Sequence, residues 1–140
     1  MTSTDAPLTP AEQRRADAAL RAEMAASAAR QEAASAQVLI DDFVAQATAR
    51  RMAPEPLLAR LTSGATARTN VVGWYINVPK TVAVGTDGAW YRLVVQGGLR
   101  ERLRGVTLRP SQPGLTVLPG GRDGESGPLR EFLARRLELG

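Results

Sequence analysis

Alternation of apolar and polar side chains is strongest over residues 71–95, VVGWYINVPKTVAVGTDGAWYRLVV. Three segments within this stretch alternate between two faces: 71–78, 81–84 and 89–95. Pro79-Lys80 predicts the first turn, and Asp87-Gly88 supplies the positive φ that a tight hairpin needs. The pattern predicts three antiparallel strands at the centre of a sheet.

Helical signals dominate the first third of the chain. Thr9-Pro10-Ala11-Glu12 is typical of a helix start, because Thr9 can cap the free N–H groups while Glu12 reaches back to the cap. Over residues 9–37 the large apolar side chains are only Leu20 and Met24, so we predict an alanine-rich helical arm held mainly by helix propensity. We expect residues 1–8 to be disordered.

From Val38 the helical pattern strengthens and marks the start of a domain over residues 38–140. Ile40, Phe43, Val44 and Ala47 fall at i, i+3, i+4 and i+7, which predicts a helix face that packs on a core. The thin stripe before Val38 leaves two interpretations open. The arm is either a solvated extension or a coiled coil through which the chain associates with itself.

The remaining segments predict short elements around the sheet. Proline and leucine spacing predicts a short helix over residues 55–61 and a loop over 62–70. After a helical turn near 99–105 we expect two more strands, at 106–109 and 115–118. Pro128 opens a C-terminal helix with an apolar face. The predicted fold is α+β: a small antiparallel sheet of four to five strands, packed by the C-terminal helix and extended by the long N-terminal helical arm.

Composition narrows the chemistry. The chain contains no cysteine and no histidine, which excludes disulfides, thiolate or imidazole catalysis, and metal sites built on those ligands. No catalytic motif stands out, so we predict a non-enzymatic protein without a cofactor or a metal. No stretch has the apolar length of a secretory signal or a membrane span, which favours a cytoplasmic location.

The charge balance is basic and uneven. The net charge is +4, and the positive side chains are arginines apart from Lys80. The excess lies in residues 61–140, the part with the predicted sheet. It has two interpretations: a polyanion partner such as nucleic acid, or the arginine enrichment of a GC-rich genome.

Two adjacent aromatic pairs, Trp74-Tyr75 and Trp90-Tyr91, are the first candidate site. Neighbours in a strand point to opposite faces, so each pair sends one ring to each side of the sheet. If helices cover one face, one ring of each pair is exposed. We predict Tyr75 and Trp90, with Arg92 beside Trp90, as a surface that could stack bases or bind a peptide; packing of all the rings is the alternative.

Two further candidates are charged. The first is a basic connector that could contact phosphates or simply be solvated: Arg100, Arg102, Arg104 and Arg109. The second is the loop PGGRDGESG, where Asp123 and Glu125 could approach a cation, although two carboxylates are too few for a calcium site. The same loop could bind an anion at the start of the final helix, or serve only as a connection.

The order of short motifs carries a resemblance. GWY is followed by VAVGTDG, GGLRERLRGV and GGRDGES, and then by a short leucine-rich helix. This order resembles small proteins of high-GC actinobacteria over roughly residues 38–140. The resemblance implies no activity, since none is assigned to those proteins.

We therefore expect an interaction or adaptor module that binds a protein partner, or itself through the N-terminal helix. The alternative is a nucleic-acid-binding protein that uses the exposed sheet aromatics and the arginine-rich connector.

Overall fold

A computed structural model describes residues 6–121 and 125–140, so residues 1–5 of the predicted disordered segment lie outside the described part. Contacts divide the chain into two units, one ending at Gln31 and the other spanning Glu32–Gly140. The elements are α1 (Pro10–Ala49), β1 (Glu55–Leu61), β2 (Thr66–Tyr75), β3 (Val82–Gly85), β4 (Trp90–Arg92), β5 (Val94–Val95), α2 (Leu99–Arg104), β6 (Thr116–Val117), β7 (Gly127–Pro128) and α3 (Leu129–Leu139). The class is α+β, as predicted.

The start of α1 is a capping box. The Glu12 N–H donates to Thr9 Oγ1 at 3.1 Å, and the Thr9 N–H donates back to Glu12 Oε1 at 3.4 Å. The buried residues of the helix are Ala36, Ile40, Phe43 and Ala47, so three of the four predicted residues are buried and the fourth, Val44, is half-buried against the core. Among the helices described, none combines the length and apolar character needed to cross a membrane.

The predicted helix over residues 55–61 is wrong, because this segment is strand β1. Leu57, Ala59 and Leu61 are buried while Leu58 and Arg60 are exposed, which is the alternation of a strand. A seven-residue helix is marginal by itself, whereas the strand gains a hydrogen-bonded ladder with β2. The predicted loop over residues 62–70 is correspondingly shortened, since β2 begins at Thr66.

The sheet closes on itself. Its strand order is β4-β3-β2-β1-β5, antiparallel except for the parallel β1–β5 pair. Only Leu93 separates β4 from β5, so one strand begins beside β3 and ends beside β1. The Leu93 N–H donates to the Thr81 carbonyl at 2.9 Å, and the Leu93 carbonyl accepts the Arg60 N–H at 2.7 Å. The result is a small closed barrel.

Side chains with odd numbers point into this barrel along every strand. They form a buried interior cluster together with Leu108 from the segment after α2: Leu57, Val71, Tyr75, Ala83, Tyr91 and Leu93. The wall is tight, since a Cβ on Gly73 would lie 2.1 Å from the Val84 carbonyl oxygen. Gly73 is therefore the residue that lets β2 and β3 pair at this point.

The segment after α2 serves the barrel interior instead of adding a strand to the sheet. Residues 106–109 were predicted as a strand, which is wrong: they make one bridge, between Thr69 and Val106. The Leu108 N–H donates to Asn70 Oδ1 at 2.7 Å, so a side chain replaces the next ladder partner. Leu108 then turns into the barrel cluster. The predicted strand at 115–118 is present in shorter form as β6, which pairs with β7.

A second core lies outside the barrel wall, where helices cover part of it. Trp74 and Trp90 pack there with Phe43 of α1 and Phe132 of α3. The Trp74 ring meets Phe43 edge to face, with centroids 5.8 Å apart, and its Nε1–H donates to the Met52 carbonyl at 3.1 Å. The prediction that the C-terminal helix covers the sheet is confirmed.

Candidate interaction surface

In both aromatic pairs the tryptophan points out of the barrel and the tyrosine points into it. The strand register aligns Trp74 with Val84 and Trp90 on the outside of the barrel, and it aligns Tyr75 with Ala83 and Tyr91 on the inside. All four rings are between 2% and 8% exposed. The prediction that Tyr75 and Trp90 are exposed is wrong, because barrel closure gives the second face a core of its own. The two rings also lie on opposite faces of the wall.

Both tyrosine hydroxyls are used inside the fold. The Tyr75 hydroxyl accepts the Leu58 N–H at 2.8 Å, next to the bulge between Pro56 and Leu58. The Tyr91 hydroxyl donates to Asp87 Oδ2 at 2.7 Å. Burial, followed by the hydrogen bond and the negative charge of Asp87, raises the pKa of Tyr91 to about 12. Tyr91 is therefore neutral at physiological pH.

The outer wall over β1, β2 and the β4–β5 strand is uncovered. We call this surface the bare face and define it by six outward-pointing residues: Leu58, Arg60, Arg68, Val72, Arg92 and Val94. The three apolar members are between 43% and 50% exposed, although each points outward from a strand as the buried Trp74 does. Exposed apolar side chains grouped on one sheet face are typical of an interaction surface.

Arginines flank these apolar residues in register. Arg60 pairs with Val94 across the barrel closure, and Leu58 pairs with Arg68 across β1–β2. The Arg60 Nη2 donates to the Pro79 carbonyl at 3.0 Å, which fixes that side chain along the wall. Between residues 56 and 100 the one acidic side chain is Asp87, in the β3–β4 turn. Its carboxylate accepts hydrogen bonds from the Tyr91 hydroxyl and the Ala89 N–H. The bare face is thus cationic as well as apolar.

Of the predicted site residues, only Arg92 lies on the bare face. Arg100, Arg102 and Arg104 are exposed on α2, the predicted helical turn. Arg104 and Arg68 line a polar hollow of about 380 Å³ together with Thr69, Asn70 and the 105–107 backbone. Arg109 is exposed beyond buried Leu108 and does not line that hollow.

The Gly-rich loop contributes no described site. Asp123, one of its two candidate carboxylates, lies outside the described residues. Glu125 is half-buried before β7, and the helix that follows has Pro128 at its N-cap, with no side-chain cap. The hypotheses of a cation or an anion at this loop gain no support from the described atoms.

Five of the six bare-face residues were missed, and three of them, Leu58, Arg60 and Arg68, were missed because residues 55–70 were interpreted as a helix and a loop. The signal was present in Leu57-Leu58-Ala59-Arg60-Leu61, where strand alternation exposes Leu58 and Arg60. Leucine and alanine favour helices, and that propensity hid the period of two. Val72 and Val94 lay in predicted strands, but their exposure depends on which part of the wall the helices cover, which no local pattern reports.

Together the observations define an α+β protein with a small closed β-barrel, two helices against one half of its wall and a cationic apolar surface on the other half. Comparison of the chain with protein-family models, curated proteins and solved structures found no match. The resemblance to small actinobacterial proteins stays a prediction.

Proposed function

We propose that this protein is a non-enzymatic interaction module whose bare face binds an acidic, partly apolar surface of a protein partner. The supporting observation is the pattern on that face: Leu58, Val72 and Val94 exposed, with an arginine beside them on each strand. A partner with carboxylates around an apolar patch is complementary to this surface.

The two residue types contribute differently to such binding. Burial of the apolar side chains by a partner stabilises the complex by about 25 cal/mol per Å² removed from water. The arginines that alternate with them steer an acidic partner and form bidentate bonds with its carboxylates, and arginine is enriched among residues that dominate interface energies. Arg60 is already fixed by Pro79, so less side-chain entropy is lost when it binds.

Binding to arrayed peptides tests this proposal. We would use the full chain against peptides that vary acidic and apolar content independently, and we expect strong signals only where both are present. The paired change Leu58→Ser and Val94→Ser is expected to lower the affinity for the best peptide at least tenfold. The matched control is Leu99→Ser with Leu103→Ser, two exposed apolar residues of α2 outside the bare face. Equal loss in both variants, or none in the first, would overturn the proposal.

Self-association through the N-terminal helix belongs to the same proposal as a second partner. Leu20 and Met24 are exposed on α1, and a second copy could cover them. Sedimentation of the full chain and of a chain lacking residues 1–31 separates the cases. A dimer that becomes a monomer on truncation supports the coiled coil, whereas monomers in both cases remove it.

The alternative is nucleic-acid binding through arginine and phosphate contacts. The polar hollow between Arg68 and Arg104, beside the other α2 arginines, favours it. Base stacking has lost its support, because Trp90 and Tyr75 are buried. Anisotropy with a labelled single strand at several salt concentrations tests this alternative: each phosphate contact contributes about −0.7 to the salt slope. Arg104→Gln should reduce the salt slope, and Leu58→Ser should leave it unchanged. A protein that binds only peptides should show no salt-dependent binding of the strand.

A cytoplasmic location completes the proposal. The chain has no cysteine and so depends on no disulfide, which suits a reducing compartment. Fractionation of cells that produce the full chain should recover it with soluble cytoplasmic markers, and recovery outside the cell would contradict the proposal.

A further inference from the structure

A cleft of about 220 Å³ lies between α3 and the turn that joins β2 to β3. Its apolar lining includes Ile76, Val78, Phe132 and Leu139, and its charged lining consists of Lys80, Arg135, Arg136 and Glu55. Three positive side chains thus meet one negative side chain around an apolar floor. This combination is separate from the bare face, since no residue belongs to both.

The turn that forms one side of the cleft is held rigidly. Asn77 is buried, and its Oδ1 accepts the Thr81 N–H at 2.9 Å and the Val82 N–H at 3.3 Å. Its Nδ2 donates to Thr81 Oγ1 at 2.6 Å. These bonds fix the turn at the point where Val78, 89% exposed, projects beside the cleft. Because the turn is fixed, the cleft is present before any ligand arrives.

Lys80 occupies an unusual backbone position in that turn. Its φ is +59°, in the left-handed region where glycine or asparagine is favoured over a long side chain. Its Nζ lies 4.9 Å from the centroid of the Tyr75 ring, and both residues line the cleft. The turn therefore keeps a charged side chain at the cleft although its backbone position favours glycine or asparagine.

The cations from α3 are also positioned. Arg136 Nε donates to the Tyr75 carbonyl at 2.9 Å, and its Nη1 donates to the Gly140 carbonyl at 3.1 Å. The Arg135 Cζ lies 5.5 Å from the centroid of Phe132, a ring that lines the cleft floor. Arg136 is therefore partly used by the fold, while Lys80 and Arg135 rest over aromatic rings. Those two are the side chains best placed to meet an anion.

We propose that this cleft binds a carboxylate carried on a short apolar group, with Lys80 and Arg135 at the carboxylate and Ile76, Val78, Phe132 and Leu139 around the apolar part. The volume equals about seven water molecules at about 30 Å³ each, so the part of the ligand held inside the cleft is roughly the size of one leucine residue. Two sources present this chemistry: the free C-terminus of a peptide that ends in an apolar residue, and a short-chain carboxylic acid.

NMR titration of the full chain with small probes tests the proposal without knowledge of the natural ligand. N-acetyl-leucine should shift the amide signals of residues 76–80 and 135–139, and its neutral amide should bind at least tenfold more weakly. Octanoate separates the sources: equal binding indicates a free carboxylic acid, and clear preference for N-acetyl-leucine indicates a peptide terminus. No binding of either acid, or equal binding of the acid and the amide, would overturn the proposal.

Substitutions in the cleft provide the second test. Lys80→Gln and Arg135→Gln should each lower the affinity for the acid at least fivefold, whereas Arg130→Gln should leave the affinity unchanged. Arg130 is the matched control, because it is exposed on the same helix and lines a different crevice. Binding that survives both cleft substitutions would contradict the assignment. None of these results depends on peptide binding at the bare face, so the two proposals can fail separately.

Discussion

The outer wall of the barrel has two halves that differ in what covers them. On one half, Trp74, Val84 and Trp90 point outward into a core built with α1 and α3. On the other half, Leu58, Val72 and Val94 point outward in the same way, and water contacts them. The residue types overlap, since valines occur in both halves, so the covering layer and not the strand pattern decides which valine is buried.

The difference separates stability from binding. The covered half joins the barrel to the helices through packing and through bonds such as the one from Trp74 to the Met52 carbonyl. The bare half has no such layer, and there arginines alternate with apolar residues. Changes on the covered half should therefore lower the free energy of unfolding, and changes on the bare half should alter binding alone.

The largest expected effect follows from removing the central ring of the covered half. Trp74→Ala should lower the free energy of unfolding by about 3–5 kcal/mol, because it removes a buried indole, its contact with Phe43 and its hydrogen bond. Urea unfolding measured by circular dichroism gives this value. A loss below about 1 kcal/mol would mean that helices do not cover this half.

Two valines give the matched version of the comparison. Val84→Ala should cost about 1.5–3 kcal/mol, since Val84 is fully buried on the covered half. Val94→Ala makes the same chemical change on the bare half and should alter the free energy of unfolding by less than about 0.5 kcal/mol. Similar costs at the two positions would erase the distinction between the halves.

A smaller effect concerns the barrel interior, which lies beneath both halves. Tyr91→Phe removes the hydroxyl that donates to Asp87 and should lower the free energy of unfolding by about 1.5 kcal/mol at pH 7.

The same hydroxyl predicts a pH dependence. The pKa of Tyr91 is raised to about 12 in the fold, so the unfolded chain loses this proton first, near pH 10. The free energy of unfolding should fall as pH rises from about 10 toward about 12. Denaturation midpoints at several pH values in this range test the slope, which Tyr91→Phe should reduce; an unchanged slope would contradict burial of the hydroxyl.

Much of the fold was predictable from local signals. The cap at Thr9, the buried face of α1, the Asp87-Gly88 hairpin and the C-terminal helix all follow from residue types at short spacing, and the structure contains each of them. These features depend on neighbours within a few residues, which is the range over which capping, periodicity and turn chemistry act.

The barrel was not predictable in the same way. Its closure depends on the pairing of Arg60 with Val94, which are distant in sequence, and on a parallel contact that no turn signal announces. Without closure, the alternation rule correctly places one ring of each aromatic pair on each face but leaves one face open to solvent. The Tyr75 and Trp90 prediction failed at that step, whereas the bare face was missed mainly because β1 and the start of β2 were interpreted as a helix and a loop.

The most direct test of this account is a cysteine cross-link between the strands that close the barrel. The native chain has no cysteine, so the double variant Arg60→Cys and Val94→Cys has only the introduced thiols. These residues are register partners on parallel strands, where the Cα separation suits a disulfide. The control joins Arg60→Cys with Val72→Cys, because the β1 partner of Val72 is Pro56, which lies four residues and roughly 13 Å from Arg60 along β1. Rapid disulfide formation under mild oxidation in the first pair, and not in the control, is the result that closure predicts. Two thiols that stay reduced in the first pair of a folded protein would show that the sheet is open and would contradict the division of its outer wall.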